Sequence, residues 1–189
     1  MSFFRGKVVV VTGSSNGIGR ATARMFAAVG AKVTITGRNA ATLAETKAQC
    51  IAAGAKEEDI LDLIGDVKDE EFCAKLVHDT VAKFGQLDVL VNNAGGALFD
   101  VSGNAGMDVP IKFYDDMMDL NVRSIIVLSK LAIPHLEKTK GSIVNVSSIV
   151  AYPFTAPQPY YPMSKACLDQ LTVQMGGTLI KKGIRVNSV

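Results

Sequence analysis

The feature that most constrains the fold is a glycine-rich turn between a strand pattern and a helix pattern. Residues 7–12 form a continuous β-branched run, which is typical of a strand buried on both faces. Glycines then stand at positions 13, 17 and 19, and a helix pattern runs from Gly17 to Val29. The predicted inner face of this helix carries Ile18, Ala21, Met25 and Ala28. A tight turn of this kind, from strand to helix, is typical of a parallel sheet covered by helices.

The same alternation of short apolar runs and longer helical patterns continues along the chain. Further strands are predicted at 32–36, 59–64, 87–91, 142–146 and 184–187, and further helices at 40–53, 69–84, 113–136 and 161–181. Right-handed crossovers between such strands give a parallel sheet. We therefore expect one α/β domain over residues 1–189, a doubly wound, Rossmann-like sheet of strand order 3-2-1-4-5-6. Ligands bind such sheets at the carboxyl ends of the strands, so the loops after strands one, four and five form the candidate site.

Composition and charge argue against several classes of function. The formal charge of +2 is spread over 189 residues without a block of like charges, which argues against a nucleic-acid patch or a polybasic membrane anchor. No apolar run reaches the roughly 18 residues of a membrane span. Cys50, Cys73 and Cys167 lack CxxC spacing, so we expect buried, reduced thiols in a cytoplasmic protein. His78 and His135 have no partner at metal-ligand spacing, so no metal site is expected.

The three glycines also predict an anion site. They let the chain reverse tightly, let the backbone approach a pyrophosphate and let the helix pack on the strand. The amides that open the helix then face the anion, with the helix dipole in support. The spacing is GxxxGxG with no GK[ST], so a P-loop is not indicated. On this motif alone, a tight turn without a ligand is the alternative.

The end of strand two indicates which dinucleotide binds. An NAD site usually places an acid there, whereas this strand ends in Thr36-Gly37-Arg38-Asn39. A carboxylate would repel a 2′-phosphate, and Arg38 can hold one with a forked, charge-assisted pair. We therefore expect NADP(H) rather than NAD(H). The alternative is that Arg38 caps or covers the following helix.

A tyrosine and a lysine stand one helical turn apart near the start of the last long helix. Tyr161 and Lys165 therefore project from the same face. A free phenol is too weak an acid for efficient proton transfer at neutral pH, but an ammonium about 4 Å away favours its ionised form by on the order of 4 kcal/mol. Tyr161 can then donate a proton to a carbonyl oxygen while hydride reaches the carbon. Without further context, most YxxxK pairs are ordinary helix surface.

Four motifs, taken together, resemble the short-chain dehydrogenase/reductase family. They are TGxxxGxG after strand one, Asn92-Asn-Ala-Gly95 after strand four, Ser147-Ser148 after strand five and YxxxK beyond it. The resemblance covers the chain from about Lys7 to its last residue. It implies an oxidoreductase that transfers hydride between a nicotinamide cofactor and a carbonyl/secondary-alcohol substrate.

The resemblance also implies a role for each matching residue. Tyr161 is the expected general acid/base, Lys165 the expected partner of the nicotinamide ribose, and Ser148 the group that hydrogen-bonds the substrate oxygen. Asn121 matches the family's asparagine that supports a water for proton relay; the alternative is a polar residue that satisfies helix backbone. Asn92 is expected to steady the central strands. The expected cofactor contacts are Gly13, Ser15, Asn16, Gly17, Ile18, Gly19, Arg38, Asp66, Val67, Asn93, Ala94, Gly95, Tyr161 and Lys165.

One departure from the family pattern concerns the cofactor. NADPH-preferring relatives often carry a basic residue just before the second glycine, and here that residue is Asn16. The phosphate site would therefore rest mainly on Arg38, and the preference for NADP(H) would be modest.

The end of the chain leaves two hypotheses open. Family members continue beyond the sixth strand with a substrate lid and a final strand, so we expect a fragment of a longer chain or a truncated product. It is either an active carbonyl reductase or alcohol dehydrogenase, or a non-catalytic nucleotide-binding fragment.

Relatives commonly dimerise through the two long helices, here 113–136 and 161–181, so a homo-oligomer is expected. Segments 96–109 and 150–160 are expected to select a small-molecule substrate, and their aromatic residues Tyr152, Phe154 and Tyr160 either line a pocket or pack.

Overall fold

A parallel sheet with helices on both faces forms the molecule. The computed structural model describes residues 3–152 and 158–189. The strands are β1 (Val8–Val11), β2 (Lys32–Gly37), β3 (Ile60–Ile64), β4 (Val89–Asn92), β5 (Ser142–Asn145) and β6 (Arg185–Ser188). The α-helices are α1 (Gly17–Ala28), α2 (Ala40–Ala52), α3 (Glu70–Phe84), α4 (Ile111–Met118), α5 (Ser124–Thr139) and α6 (Tyr160–Leu179). The strand order is β3-β2-β1-β4-β5-β6, which confirms the predicted doubly wound topology.

The central strand β1 shows why the sheet is buried on both faces. It pairs in parallel with β2 on one side and β4 on the other, and all four of its valines are buried. Because side chains alternate along a strand, Val8 and Val10 join the core beneath α3 and α5, whereas Val9 and Val11 join the core beneath α1 and α2. This two-sided burial leaves the strand ends as the places where polar groups can meet a ligand.

Helix α1 presents a different face to the sheet from the one predicted. Gly19, Ala23 and Ala27 are buried, whereas Ile18 and Met25 are 67% and 68% exposed. The prediction of the inner face was wrong because the short turn brings the helix close to the strand. Only small residues fit at that distance, so the larger apolar side chains point outward.

The helix predicted over 113–136 is interrupted. Helix α4 ends at Met118, a π-helical turn spans Asp119–Arg123, and α5 continues from Ser124. Such wide turns are rare and are frequently found at functional sites. This one places Asn121 beside the loop that follows β4.

The cysteines do not behave as one group. Cys50 and Cys73 are buried, and burial raises the pKa of each thiol to about 11. Cys167 is exposed, so the prediction of three buried thiols was wrong at this position of α6.

In the described parts of the chain, no helix is long and apolar enough to cross a membrane.

Candidate functional site

A cleft of about 770 Å³ runs along the carboxyl ends of the strands. This volume lies within the roughly 300–1,000 Å³ of small-molecule sites. The loops after β1 to β5 and the first turns of α6 line it. All of the expected cofactor contacts lie on its wall, namely Gly13, Ser15, Asn16, Gly17, Ile18, Gly19, Arg38, Asp66, Val67, Asn93, Ala94, Gly95, Tyr161 and Lys165. Asn121 and Ser148 are not among its lining residues.

The turn after β1 and the turn after β4 are locked together. Thr12 Oγ1 accepts hydrogen bonds from the backbone N–H groups of Asn93 and Ala94 at 3.0 and 2.9 Å. The Asn93 side-chain amide donates back to the carbonyls of Thr12 and Gly13 at 2.9 and 3.1 Å. A Cβ at Gly13 would lie 2.8 Å from the Ala94 Cα, and the φ of Gly13 is +62°. Only glycine therefore fits where the two turns meet.

The start of α1 is arranged to receive an anion. Asn16 precedes the helix without capping it through its side chain, so the first amides keep their donors for a ligand. Gly17 has a φ of +52°, and a Cβ added there would meet no atom within 4 Å. Ser15 Oγ is buried without a hydrogen-bond partner among the described residues. The free amides beside the open space at Gly17 fit a phosphate of a dinucleotide, whereas the Ser15 Oγ lies buried against Gly37.

Two polar residues that the motif analysis missed hold this turn in place. Ser14 Oγ donates to the Val11 carbonyl at 3.0 Å and accepts from the Thr36 N–H at 2.9 Å, which ties the turn to β2. Arg20 donates to the Ser15 carbonyl, to the Thr42 carbonyl at 3.0 Å and to Thr46 Oγ1 at 2.9 Å, which ties the turn to α2.

Arg38 lies where β2 ends at the cleft, with its side chain 76% exposed. Its guanidinium lies 3.8 Å from the carboxylate of Asp66 across the cleft. The cap of α2 is Asn39, whose side chain accepts from the Thr42 N–H at 3.1 Å. Arg38 is therefore not the cap of this helix, and the alternative that it covers the helix stays open.

Tyr161 and Lys165 lie together at the other end of the cleft. The Lys165 ammonium is 5.7 Å from the centre of the Tyr161 ring and donates to the Val146 carbonyl at 2.8 Å. Lys165 is only 4% exposed, and this burial lowers its pKa. The Tyr161 side chain lines the cleft and is half-buried. A phenol and a cation therefore face the same space.

The two serines after β5 differ in their contacts. Ser147 lines the cleft, and its hydroxyl donates to the Lys165 carbonyl at 3.5 Å. Ser148 Oγ accepts from the Val150 N–H at 3.3 Å, capping the short 3₁₀ turn Ile149–Ala151. The Ser148 hydroxyl proton has no acceptor among the described residues, so it remains able to donate to a substrate oxygen.

Asn121 holds the loop after β4 against α6. Its Oδ1 accepts from the Gly96 N–H at 3.0 Å, and its amide donates to the Gly96 carbonyl and to Ser164 Oγ, both at 3.0 Å. The side chain is fully buried. Asn121 therefore forms hydrogen bonds with the backbone of a loop, whereas the alternative interpretation expected hydrogen bonds with the backbone of a helix.

The two described aromatic residues of segment 150–160 that were considered as pocket residues, Tyr152 and Tyr160, lie in different surroundings. Tyr160 packs edge-to-face on Tyr114 with ring centres 5.8 Å apart, and its hydroxyl donates to the Val109 carbonyl at 2.9 Å. Tyr152 is 82% exposed. Phe154 lies outside the described residues.

Comparison with known proteins identifies the family. A family model described as short chain dehydrogenase matches residues 7–189. The chain belongs to the short-chain dehydrogenase/reductase family. Members of this family are oxidoreductases that use a nicotinamide cofactor, and the arrangement of the cleft agrees with that membership.

Three similar proteins illustrate the range of dehydrogenases within the family. Meso-2,3-butanediol dehydrogenase of Serratia marcescens is 34% identical over 98% of this chain and 70% of its own length. L-fucose dehydrogenase of Rattus norvegicus is 32% identical over 98% of this chain, which spans 65% of that protein. A short-chain dehydrogenase/reductase of unknown function from Caenorhabditis elegans, crystallised with cofactor, is 46% identical with a TM-score of 0.95 and covers 98% of this chain and 69% of its own.

Proposed function

We propose that this protein transfers hydride between NADP(H) and a carbonyl/secondary-alcohol pair, with Tyr161 as general acid/base. The observation that carries the proposal is the layout of one cleft. The Tyr161 phenol and the buried Lys165 ammonium lie at one end, and the exposed Arg38, with no acid at the end of β2, lies at the other.

Each residue of the reacting end has a distinct task in this proposal. When bound, the nicotinamide supplies or accepts the hydride. Tyr161 donates its hydroxyl proton to the carbonyl oxygen during reduction and takes it back during oxidation. Lys165 stabilises the phenolate that remains and offers its other N–H groups to the ribose hydroxyls. Ser148, whose proton is free, hydrogen-bonds the substrate oxygen as negative charge develops there.

Asn121 has a positioning task in the same proposal. Its side chain fixes Gly96 and Ser164, which hold the loop after β4 beside the reacting end. The family's proton-relay water at this asparagine stays a prediction for this chain.

The choice of NADP(H) rests on charge at the adenosine end. Arg38, whose side chain is largely exposed, can form a forked pair with a 2′-phosphate. Asp66, 3.8 Å from the guanidinium, competes for Arg38 and weakens this advantage. A preference for NADPH that is real but modest is therefore expected.

The relatives' names guide the choice of substrates for a test. One relative is named for meso-2,3-butanediol and another for L-fucose, and both compounds carry neighbouring oxygen-bearing carbons. We therefore propose small vicinal diols, diketones and reducing sugars as the first panel.

The test is steady-state turnover of the purified chain with NADPH and NADH across that panel. Turnover that Tyr161→Phe abolishes and Tyr114→Phe preserves supports the proposal, because Tyr114 packs in the neighbouring aromatic cluster without lining the cleft. Equal efficiency with NADH, or a preference for it, would overturn the NADP(H) assignment. Cofactor binding without any turnover would favour the alternative, a non-catalytic nucleotide-binding fragment.

We further propose a homo-oligomer that forms through the two long helices. Met163 and Val173 on α6, and Ile180 just after it, are at least half exposed, as expected of a surface that a second copy covers. Light scattering of the purified chain tests this, and a monomer at all concentrations would contradict it. The cytoplasmic location stays a prediction.

A further inference from the structure

Strands β4 and β5 each end in an asparagine, and the two lie side by side. Asn92 and Asn145 are paired in the register of the sheet, and both side chains are buried. The Asn92 amide donates to Asn145 Oδ1 at 2.9 Å, and the Asn145 amide donates to Thr172 Oγ1 of α6, also at 2.9 Å. The Thr172 hydroxyl donates in turn to the Leu168 carbonyl at 2.8 Å. These hydrogen bonds therefore run in one direction, from the sheet into the helix.

The acceptor on the helix lies on the same face as the lysine of the cleft. Thr172 follows Lys165 by seven residues, which is close to two turns of 3.6 residues each. Both side chains are buried, and the fully buried Leu168 lies between them. Burial of an apolar side chain is non-directional, so Leu168 alone does not fix where the helix sits along the strand. The hydrogen bond does, because a displaced helix would leave the buried Asn145 amide without its acceptor.

The end of β5 offers a second group to the same helix. Val146 directly follows Asn145, and its carbonyl accepts from the Lys165 ammonium at 2.8 Å. The backbone here is held on both sides, because the Val146 N–H donates to the Asn92 carbonyl at 3.0 Å and the Asn145 carbonyl accepts from the Val189 N–H at 3.1 Å. Consecutive residues of a fixed strand end therefore contact two points of α6 that are two turns apart.

We propose that Asn145 and Thr172 are positioning residues, whose hydrogen bond sets the register of α6 on β5 and so keeps the Lys165 ammonium at the Val146 carbonyl, beside Tyr161. The inference deepens the proposed function and rests on it for its catalytic meaning. Neither positioning residue lines the cleft, so any effect of theirs on catalysis must act through other residues. The dependence of the lysine's position on the threonine can be measured without any turnover.

Other hydrogen bonds of α6 hold its start, but most of them lead to loops. The Tyr160 hydroxyl donates to the loop before α4, and the Asn121 amide donates to the second turn of α6. The Ser147 hydroxyl reaches the Lys165 carbonyl at 3.5 Å, which is long for a hydrogen bond. None of these bonds involves Thr172, so a change at that residue isolates the contact with Asn145.

The test replaces the Thr172 hydroxyl by a methyl group of similar size. Thr172→Val removes the acceptor of the Asn145 amide, and Thr172→Ser keeps it. Thr80→Val is the matched control in α3. Thr80 Oγ1 is buried and donates to the Leu76 carbonyl at 2.7 Å and to Thr34 Oγ1 of β2 at 3.0 Å, which is a helix-to-strand contact of the same kind. Both valine variants should lower the free energy of unfolding in urea, but only Thr172→Val should disturb the reacting end.

The first readout is NMR of the whole chain carrying ¹³C-labelled lysine side chains. Lys165→Arg removes one ε-methylene signal and so assigns it. Thr172→Val should move this signal, because the ammonium loses its fixed place at the Val146 carbonyl, whereas Thr172→Ser and Thr80→Val should leave it unmoved. The two residues on α6 are about 10 Å apart along the helix axis, so the substitution itself has little direct effect on the signal. If Thr172→Val does not fold, Thr172→Ala removes the same hydroxyl and carries the same expectation.

A kinetic readout accompanies the NMR where the chain turns over. A misplacement of about 1 Å can lower the rate of an enzyme by about 100-fold. In Thr172→Val, kcat should therefore fall by roughly ten- to hundredfold with little change in KM for the carbonyl substrate, and Thr172→Ser should restore kcat. Thr80→Val should keep the wild-type kcat while it is folded. A purely structural role of Thr172 would give both valine variants the same kcat.

The outcomes separate this inference from the proposed function. An unmoved Lys165 signal in folded Thr172→Val overturns the inference, even if the wild-type chain is active. A signal that moves in Thr172→Val but not in Thr80→Val, in a chain without turnover, supports the positioning of Lys165 by Asn145 and Thr172, while it counts against the proposed function.

Discussion

Replacing Gly19 by alanine tests whether the glycine turn is as closely packed as the structure requires. A Cβ at this position would lie 2.4 Å from the Gly13 carbonyl oxygen and 2.4 Å from the Asn93 side-chain nitrogen. Neither atom is free to move, because the Asn93 amide donates to that same carbonyl at 3.1 Å. The added methyl group must therefore push the turn after β1 away from the turn after β4.

Gly177 provides a matched control in another helix. It lies within α6, and a Cβ added there would meet no atom within 4 Å. Alanine is better than glycine in a helix interior by about 0.8–1.0 kcal/mol, so Gly177→Ala should stabilise the chain by roughly that amount. Overpacking costs about 1–3 kcal/mol, which exceeds the helix gain at Gly19. The helix gain is common to both variants, so they should differ in free energy of unfolding by the overpacking cost, about 1–3 kcal/mol.

Urea unfolding measures this difference directly. The midpoint should fall for Gly19→Ala and rise for Gly177→Ala with unchanged slopes, because neither change alters the surface exposed on unfolding by much. In thermal scans, each kcal/mol corresponds to about 2–4 °C for a chain of this size. Gly19→Ala should also weaken NADPH binding, measured by fluorescence, and Gly177→Ala should not. If Gly19→Ala were as stable as Gly177→Ala and bound NADPH equally well, the close approach of the two turns would be refuted.

Three further predictions concern single side chains. In steady-state assays, Arg38→Ala should lower kcat/KM for NADPH by about tenfold and leave the rate with NADH unchanged. Tenfold corresponds to the low end of the free energy of a charge-assisted hydrogen bond, because Arg38 is exposed. Asn121→Ala should lower the free energy of unfolding, measured in urea, by about 1–3 kcal/mol, because buried groups of the loop after β4 lose their hydrogen-bond partners. Full stability of this variant would contradict the role of Asn121 in holding that loop against α6. Iodoacetamide in mildly alkaline solution should add one adduct by mass spectrometry, at Cys167. Cys50 and Cys73 should react only on unfolding or well above that pH, because burial raises the pKa of each to about 11.

Local patterns were sufficient to predict the sheet and the position of the cleft. The β-branched runs at β1 and β2, each followed by a glycine and a helix, predict parallel strands, and the order of such strands is restricted by right-handed crossovers. The carboxyl ends of those strands then bring Gly13, Arg38, Asp66 and Tyr161 to one side, although they are far apart in the sequence.

Packing distance and backbone irregularity were not predictable in the same way. The periodicity of α1 indicated that Ile18 and Met25 face inward. The helix lies so close to the strand that alanine and glycine residues face the sheet instead, and Ile18 and Met25 are exposed. The π-helical turn at Asp119–Arg123 inserts an extra residue into a continuous helical pattern. Asn121 in this turn bonds to Gly96, a contact distant in sequence that no local periodicity reports.

The hydrogen bonds of the polar residues that hold the site were not predictable for a related reason. Thr12 bonds to the backbone of Asn93 and Ala94, and Arg20 bonds to the backbone of Ser15 and Thr42. These partners are mostly distant in sequence and are backbone groups, so residue type carries little information about them. The short sequence TG after a buried strand was the one available signal for Thr12.

The most direct test of the central claim is a crystal structure of the chain with NADP⁺ bound. We predict the 2′-phosphate beside Arg38, and the nicotinamide ribose within hydrogen-bonding distance of Lys165. The Tyr161 and Ser148 hydroxyls should face one small space beside the nicotinamide ring. A cofactor bound in the reverse direction, or a nicotinamide out of reach of Tyr161, would contradict the account.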